Sequence, residues 1–160
     1  LVPYKRLETL IETFRLRPKY KLVIVGVGSE MLRLKKMSPS NVTYVGFVSD
    51  VDLPSYYAGA KAYLQANEED FGISMVEAQA SGIPVIAYSE GGASDIVVPG
   101  KTGILTAGNT PADFAQAIDK LDRLSFDSEA CRQNALRFDK TIWQKQISER
   151  INKLCKQLIA

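Results

Sequence analysis

Short apolar runs alternate along this 160-residue chain with stretches in which apolar residues recur every three or four positions. The runs predict buried strands, and the longer spacing predicts amphipathic helices. The predicted strands cover residues 20–25, 41–45, 61–65, 83–88 and 104–106. The predicted helices cover residues 5–17, 30–37, 50–58, 72–81, 111–124, 128–138 and 141–159, with one more helical turn at 94–97.

The alternation of strands and helices predicts an α/β fold with a doubly wound, Rossmann-like parallel sheet. Most predicted strands are continuous apolar runs, which is typical of strands covered by helices on both faces. In this class ligands bind at the carboxyl ends of the strands, so the loops that follow the strands are the candidate site. We also expect five large side chains to lie in the core: Phe14, Met31, Tyr56, Met75 and Trp143.

The composition narrows the function further. Hydrophobic residues make up 46% and charged residues 24% of the chain, which predicts one globular domain over residues 1–160. The net charge is +2 with both signs interspersed, so nothing points to a nucleic-acid partner. The chain has no histidine, which excludes a histidine base, a histidine metal ligand and a Ser-His-Asp triad. Cys131 and Cys155 are too far apart for a disulfide framework and predict free, at least half-buried thiols.

The segment that carries chemistry reads N-E-E-D-F-G-I-S-M-V-E-A-Q-A-S-G-I-P-V-I-A and runs from Asn67 to Ala87. A predicted strand ends near Gln65, and an acidic loop then meets a helix that opens at Phe71-Gly72. Free backbone amides at a helix start bind anions, and a glycine there lets a bulky anion come close. The sequence therefore predicts an anion site at residues 72–74.

Two carboxylates flank this predicted anion site. Glu69 lies just before the helix, and Glu77 lies about two turns later. A carboxylate accepts two hydrogen bonds side by side, which suits the vicinal hydroxyls of a sugar. Two such groups around one anion site fit a diphosphate with a sugar on each side. The alternative is that both acids only complement the helix dipole, at about 0.3–1 kcal/mol each.

This segment resembles the E-x7-E signature of the group 1 family of retaining GT-B glycosyltransferases, which includes sucrose synthase and bacterial mannosyltransferases. The family pattern E-x-F-G-x4-E-A-x-A-x-G-x-P-V-I-A is matched at every fixed position by residues 69–87. The strand and turn at 42–48 and the loop at 100–105 are also similar, with Tyr44 in place of a phenylalanine. Gly91-Gly92 resembles a further family loop, in which Asp95 replaces a glutamate.

The resemblance implies a role for each residue of the matched segment. Glu69 would contact the transferred sugar and act in catalysis, and Glu77 would bind the ribose hydroxyls. The backbone amides of Gly72, Ile73 and Ser74 would hold the diphosphate of the donor. Phe71 would belong to the same donor-binding loop.

Three residues outside the segment are implicated as well. Lys5 falls on the phosphate-binding lysine of the family and is the second candidate catalytic residue. Val48, through its backbone, and Asp50 would flank the nucleobase, although a surface N-cap is the simpler explanation of Asp50. Asp50 and Ser49 are both candidate N-caps of the helix predicted at 50–58. No metal ligand and no cofactor is implied.

The resemblance also implies that residues 1–160 are the C-terminal, donor-binding half of a GT-B fold. The chain reads as cut in mid-fold, so an acceptor domain, a first strand and its phosphate-binding arginine are expected before Leu1. The expected reaction moves a sugar from a nucleoside diphosphate to an acceptor with retention, and this chain alone would be inactive. The opening V-P-Y-K-R is similar to mannosyltransferases that use GDP-mannose.

The two free thiols predict a reducing, cytoplasmic location. The acceptor domain is the part expected to touch the inner face of a membrane. Two alternatives remain open on the sequence. One is a non-catalytic, nucleotide-binding regulatory module of the same fold. The other is a GT-B-like sugar-nucleotide epimerase, although that family does not carry this E-x7-E context.

Overall fold

The structure is a computed structural model that describes residues 1–159, and its elements follow the predicted order. The strands are β1 Leu22–Val25, β2 Val42–Gly46, β3 Tyr63–Gln65, β4 Val85–Tyr88 and β5 Gly103–Thr106. A 3-10 turn at Pro3–Lys5 precedes the helices α1 Leu7–Leu16, α2 Met31–Met37, α3 Leu53–Ala58, α4 Ile73–Ala80, α5 Ala93–Ile96, α6 Pro111–Leu121, α7 Ser128–Leu136 and α8 Lys140–Ile159.

All strand pairs are parallel, which confirms the predicted α/β class. The strands form two hydrogen-bonded sheets, β1-β2 and β3-β4-β5, and not one continuous sheet. Among the described residues, no named strand pairs with the second edge of β1 or of β3. The predicted single sheet is therefore interrupted between these two strands.

A single apolar core nevertheless spans the interruption. Ile24 of β1 and Ile86 of β4 belong to the same buried cluster, together with Phe114 of α6. Neighbouring residues of β4 point the other way, because side chains alternate along a strand, and pack with Met75 of α4. Helices thus cover both faces of the β3-β4-β5 sheet, α1 and α6 on one side and α4 and α5 on the other, as the apolar strands predicted.

Two predicted helix starts were wrong. The first helix begins at Leu7 and not at Lys5, because Arg6 adopts a left-handed conformation (φ 50°) that separates the 3-10 turn from α1. The third begins at Leu53 and not at Asp50, and Asp52 is its N-cap residue. The hydroxyl of Ser49 accepts a hydrogen bond from the Asp52 amide at 3.3 Å, so Ser49 caps a turn that precedes the helix.

The core prediction holds for only part of its residues. Phe14 and Met75 are buried, and Met31 is half-buried. Trp143 is 60% exposed, every α8 residue whose burial the structure describes is exposed, and Tyr56 on the short helix α3 is exposed as well. Cys131 is buried as a free thiol, whereas Cys155 on α8 is an exposed one, which corrects its predicted burial. Within residues 1–159, no helix is long and apolar enough to cross a bilayer.

Candidate functional site

The loop between β3 and α4 joins the carboxyl end of a strand to the N-terminus of a helix. Gly72 is the N-cap residue of α4 and adopts φ 92°, a conformation that favours glycine. A Cβ at this position would lie 2.2 Å from Cε of Met75, so the end of that side chain would have to shift. Among the described residues, the amides of Ile73 and Ser74 have no backbone acceptor. This helix start can therefore bind an anion.

A buried side-chain donor lies beneath the same turn. Nε2 of Gln65, the last residue of β3, has no hydrogen-bond partner among the described residues. It lies 3.6 Å from the position that a Cβ on Gly72 would occupy. Unpaired buried donors are rare in proteins, so this amide favours a polar ligand or water close to the α4 N-terminus.

Lys5 and Glu69, the two candidate catalytic residues, form an ion pair. The Lys5 ammonium donates a hydrogen bond to Oε1 of Glu69, and Nδ2 of the buried Asn67 donates a second at 2.9 Å to the same oxygen. Partial burial alone would raise the pKa of Glu69, but the bonds from Lys5 and Asn67 and the lysine charge together lower it. Burial opposes the charge of Lys5, yet contact with Glu69 raises the lysine pKa. Both groups are therefore ionised over the neutral pH range.

The Gly91-Gly92 loop fixes the backbone on which Glu69 stands. The amide of Gly92 donates to the carbonyl of Glu69 at 2.8 Å. A Cβ on Gly91 would lie 2.3 Å from that carbonyl oxygen, and one on Gly92 would lie 2.3 Å from the carbonyl oxygen of Phe71. Glycines are required here because the two loops pack backbone against backbone.

Glu77 lies on the same helix as the anion site but does not join the Lys5–Glu69 pair. From Ile73 to Glu77 the helix rises about 6 Å, so the carboxylate stands roughly one turn above the free amides. Its side chain is exposed, and Tyr57 on α3 donates a hydrogen bond to Oε2 at 3.0 Å. The two carboxylates of the E-x7-E pattern therefore have different partners, a cation for Glu69 and a phenol for Glu77.

Val48 and Asp50 lie in the loop that follows β2 at its carboxyl end. Val48 lines an open cavity of about 470 Å³. The lining comprises Val45, Phe47, Val48, Ser49, Asp52, Ser55 and Tyr56. Asp50 is exposed and outside this lining, and the nearby carboxylate that does line it belongs to Asp52. The polar side chains of this lining are those of Ser49, Asp52, Ser55 and Tyr56.

Phe71 has a packing partner outside the site. Its ring meets the ring of Phe138 edge to face, with 5.7 Å between the centroids. This contact ties the start of α4 to the end of α7. Sequence analysis assigned no role to Asn67 or Tyr57, which donate hydrogen bonds to the two carboxylates. Asn67 could have been found from its place two residues after a strand, at the carboxyl end of the sheet. Tyr57 has no local signal, because it meets Glu77 only through helix packing.

A parallel α/β domain with a free helix N-terminus, a lysine and two carboxylates near its strand ends has the architecture with which doubly wound folds bind ligands. Residues 1–138 match the model of the family described as glycosyl transferases group 1. The chain therefore belongs to the group 1 glycosyltransferase family.

Two curated relatives illustrate this membership. The GDP-mannose-dependent alpha-(1-6)-phosphatidylinositol monomannoside mannosyltransferase of Mycobacterium tuberculosis is 33% identical over 138 residues, which covers 76% of this chain and 36% of the relative. The GDP-mannose-dependent alpha-mannosyltransferase of Mycolicibacterium smegmatis is 37% identical over 106 residues, or 66% of this chain and 28% of the relative. The chain thus spans about a third of the length of the curated relatives it matches.

The fold is also found among solved structures. HepE of Anabaena, in its complex with UDP-glucose, is 25% identical and superposes with a TM-score of 0.80 over 96% of this chain and 46% of that protein. The structural neighbours are GT-B glycosyltransferases, which confirms the predicted Rossmann-like half of a GT-B fold.

Proposed function

We propose that residues 1–160 bind the donor of a glycosyltransferase that moves a sugar from a nucleoside diphosphate to an acceptor with retention at the anomeric carbon. One observation carries this proposal: the Lys5–Glu69 ion pair lies directly beside the N-terminus of α4. A Cβ on Gly72 would lie 3.8 Å from Cβ of Glu69. A cation, a sugar-binding carboxylate and free amides thus converge on a space that a diphosphate sugar would fill.

The diphosphate binds to the amides of Gly72, Ile73 and Ser74 and to the ammonium of Lys5 in this proposal. The backbone amides are fixed before the ligand arrives, so they stabilise the negative charge that develops on the departing diphosphate without rearrangement. The unpaired amide of Gln65 beneath Gly72 supports a polar ligand at this position.

The sugar and the ribose lie on opposite sides of the diphosphate. Glu69 faces the transferred sugar, whose anomeric carbon becomes positively charged as its bond to the diphosphate oxygen breaks and the bond to the acceptor oxygen forms. The proton of the acceptor hydroxyl passes to the departing diphosphate. Glu77, one turn along α4, accepts hydrogen bonds from the ribose hydroxyls. The nucleobase lies in the open cavity beside Val48, where Ser49 and Asp52 supply polar groups.

We propose GDP-mannose as the donor. The support is that two relatives are named as GDP-mannose-dependent enzymes. The Anabaena neighbour, in contrast, was solved with UDP-glucose. Guanine and uracil differ in size and in hydrogen-bonding edges, so a direct comparison of the two donors discriminates between these assignments.

The full reaction requires a second, acceptor-binding domain. The chain spans about a third of its curated relatives and 46% of the Anabaena neighbour, which supports a partner domain of comparable size in the whole enzyme. We place the enzyme in the cytoplasm, at the inner membrane face when the acceptor is a lipid, in line with the phosphatidylinositol mannoside in the name of one relative.

The experiment is a titration of the chain with GDP, UDP, GDP-mannose and UDP-glucose, followed by calorimetry and by NMR chemical shifts. We expect GDP to bind with a Kd of about 1 mM, because one wall of the cleft is absent. The largest shifts should occur at Lys5, residues 72–74 and Glu77. Shifts confined to Asp50 and the C-terminal helices would contradict the site. Sugar transfer catalysed by this chain alone would contradict the need for a second domain.

A further inference from the structure

Tyr57 of α3 reaches across to α4 and touches the carboxylate of Glu77. The phenol oxygen lies 3.0 Å from Oε2 of Glu77, and the two residues are 20 positions apart in the chain. A carboxylate can only accept, so Tyr57 is the donor. No basic side chain pairs with Glu77 among the described residues. Within that part of the chain, the Tyr57 phenol is the side-chain partner that Glu77 has.

The ring of Tyr57 also packs on a second tyrosine. It packs edge to face on the ring of Tyr63 in β3, with 6.0 Å between centroids and 65° between planes. Tyr57 is half-buried, although its helix is only six residues long. Burial, with smaller contributions from Tyr63 and Glu77, raises the pKa of Tyr57 well above its ordinary value. The phenol therefore stays protonated and remains a donor at any physiological pH.

An exposed glutamate on a helix has several accessible rotamers, and holding one of them costs side-chain entropy. The Tyr57 bond occupies one lone pair of Oε2 and leaves Oε1 and the remaining lone pairs free. A fixed carboxylate with free acceptors suits two adjacent hydroxyl groups, whereas a rotating one must be ordered by the ligand itself.

We propose that Tyr57 is a positioning residue, which holds the Glu77 carboxylate in the rotamer that accepts the vicinal hydroxyls of the donor ribose. This rests on the proposed function, in which Glu77 binds the ribose. Tyr57 contacts Glu77 directly. It acts through Glu77. The hydroxyl of Tyr57 orients the carboxylate, and its ring packs on Tyr63.

The substitution that separates hydroxyl from ring is Tyr57→Phe, and the probes are GDP and 2′-deoxy-GDP. The wild-type chain should bind GDP about tenfold more tightly than 2′-deoxy-GDP, which is the usual contribution of one hydrogen bond to a charged group. Tyr57→Phe should lower this preference by about threefold to fivefold through weaker GDP binding, with an unchanged thermal unfolding midpoint. Glu77→Ala should abolish the preference, and adding Tyr57→Phe to Glu77→Ala should have no further effect.

Tyr20→Phe is the matched control. The hydroxyl of Tyr20 also donates to a carboxylate, that of Asp122, but it lies at the amino end of β1, remote from the strand ends that form the site. This variant should keep the wild-type preference for GDP. A Tyr57→Phe chain that keeps the preference while Glu77→Ala loses it overturns the positioning role and leaves the proposed function intact. A wild-type chain that does not distinguish the two nucleotides overturns both.

Discussion

Lys5 donates a hydrogen bond to Glu69 across 64 residues of sequence, and this bond joins the N-terminal turn to the loop before α4. The Lys5 side chain is 40% exposed and the Glu69 side chain is 21% exposed. A diphosphate that binds at the α4 N-terminus must therefore share or capture a lysine that already has an anionic partner. In the proposed function, donor binding and the release of Glu69 toward the sugar would be coupled through this contact.

The first prediction contrasts the two carboxylates. Glu77→Ala should weaken GDP binding, because it removes ribose hydrogen bonds, and in the full-length enzyme it should raise the donor KM. Glu69→Ala should hardly change GDP affinity, because GDP lacks the sugar and the substitution frees Lys5, but it should depress kcat. Calorimetry and steady-state kinetics measure the two effects. If Glu69→Ala loses GDP binding as severely as Glu77→Ala, with both proteins folded, the separation of roles is wrong.

The second prediction concerns Lys5. Lys5→Met removes the cation while retaining much of the aliphatic stem, so GDP affinity should fall by about tenfold, the order expected for a charge-assisted hydrogen bond. Lys36→Met, on the exposed face of α2, is the matched control and should leave the affinity unchanged. Equal losses in both variants would show that only the net charge of the chain matters, and would remove Lys5 from the site.

The third prediction concerns pH. The folded-state pKa of Glu69 lies below its usual value of 4.5, so its contribution to stability is present above that pH and is lost as the pH falls. The pKa of Lys5 is raised above 10.5, so its contribution is lost at the alkaline end. Glu69→Gln should reduce the loss of unfolding free energy between about pH 6 and pH 3. Urea unfolding across that range measures this, and Glu68→Gln, on an exposed neighbour, should keep the wild-type slope.

The fourth prediction concerns the contact between the two loops. Gly92→Ala forces a Cβ to within 2.3 Å of the Phe71 carbonyl, so the loop that carries Glu69 must shift, at a cost of about 1–3 kcal/mol. GDP affinity should fall with it. Gly100→Ala is strained by a left-handed backbone, at about 1–2 kcal/mol, but its Cβ meets open space away from the site. The Gly100→Ala variant should therefore lose a similar amount of unfolding free energy but keep its GDP affinity. Equal affinities for both variants would contradict the role of the loop contact.

Much of the fold could be predicted because its signals are local. Hydrophobic spacing located every strand and helix, with errors of one to three residues at most ends. The clearest failures occurred where a backbone conformation or a packing partner intervened. Arg6 turns left-handed and breaks the first helix, and Ser49 caps a turn ahead of α3. Trp143 has a large apolar side chain, but it lies on α8, where no described residue is buried.

The sequence by itself determined the order of elements, the parallel α/β class and the position of the E-x7-E pattern at the start of α4. These follow from the periodicity of side chains and the special backbone of Gly72, which are properties of neighbouring residues. Only the tertiary structure decided that Lys5 pairs with Glu69, that Tyr57 donates a hydrogen bond to Glu77 and that Gly92 packs against the Phe71 backbone. Each of these contacts joins two elements far apart in the chain, and their meeting is set by how helices and loops pack on the sheet, which no local pattern encodes.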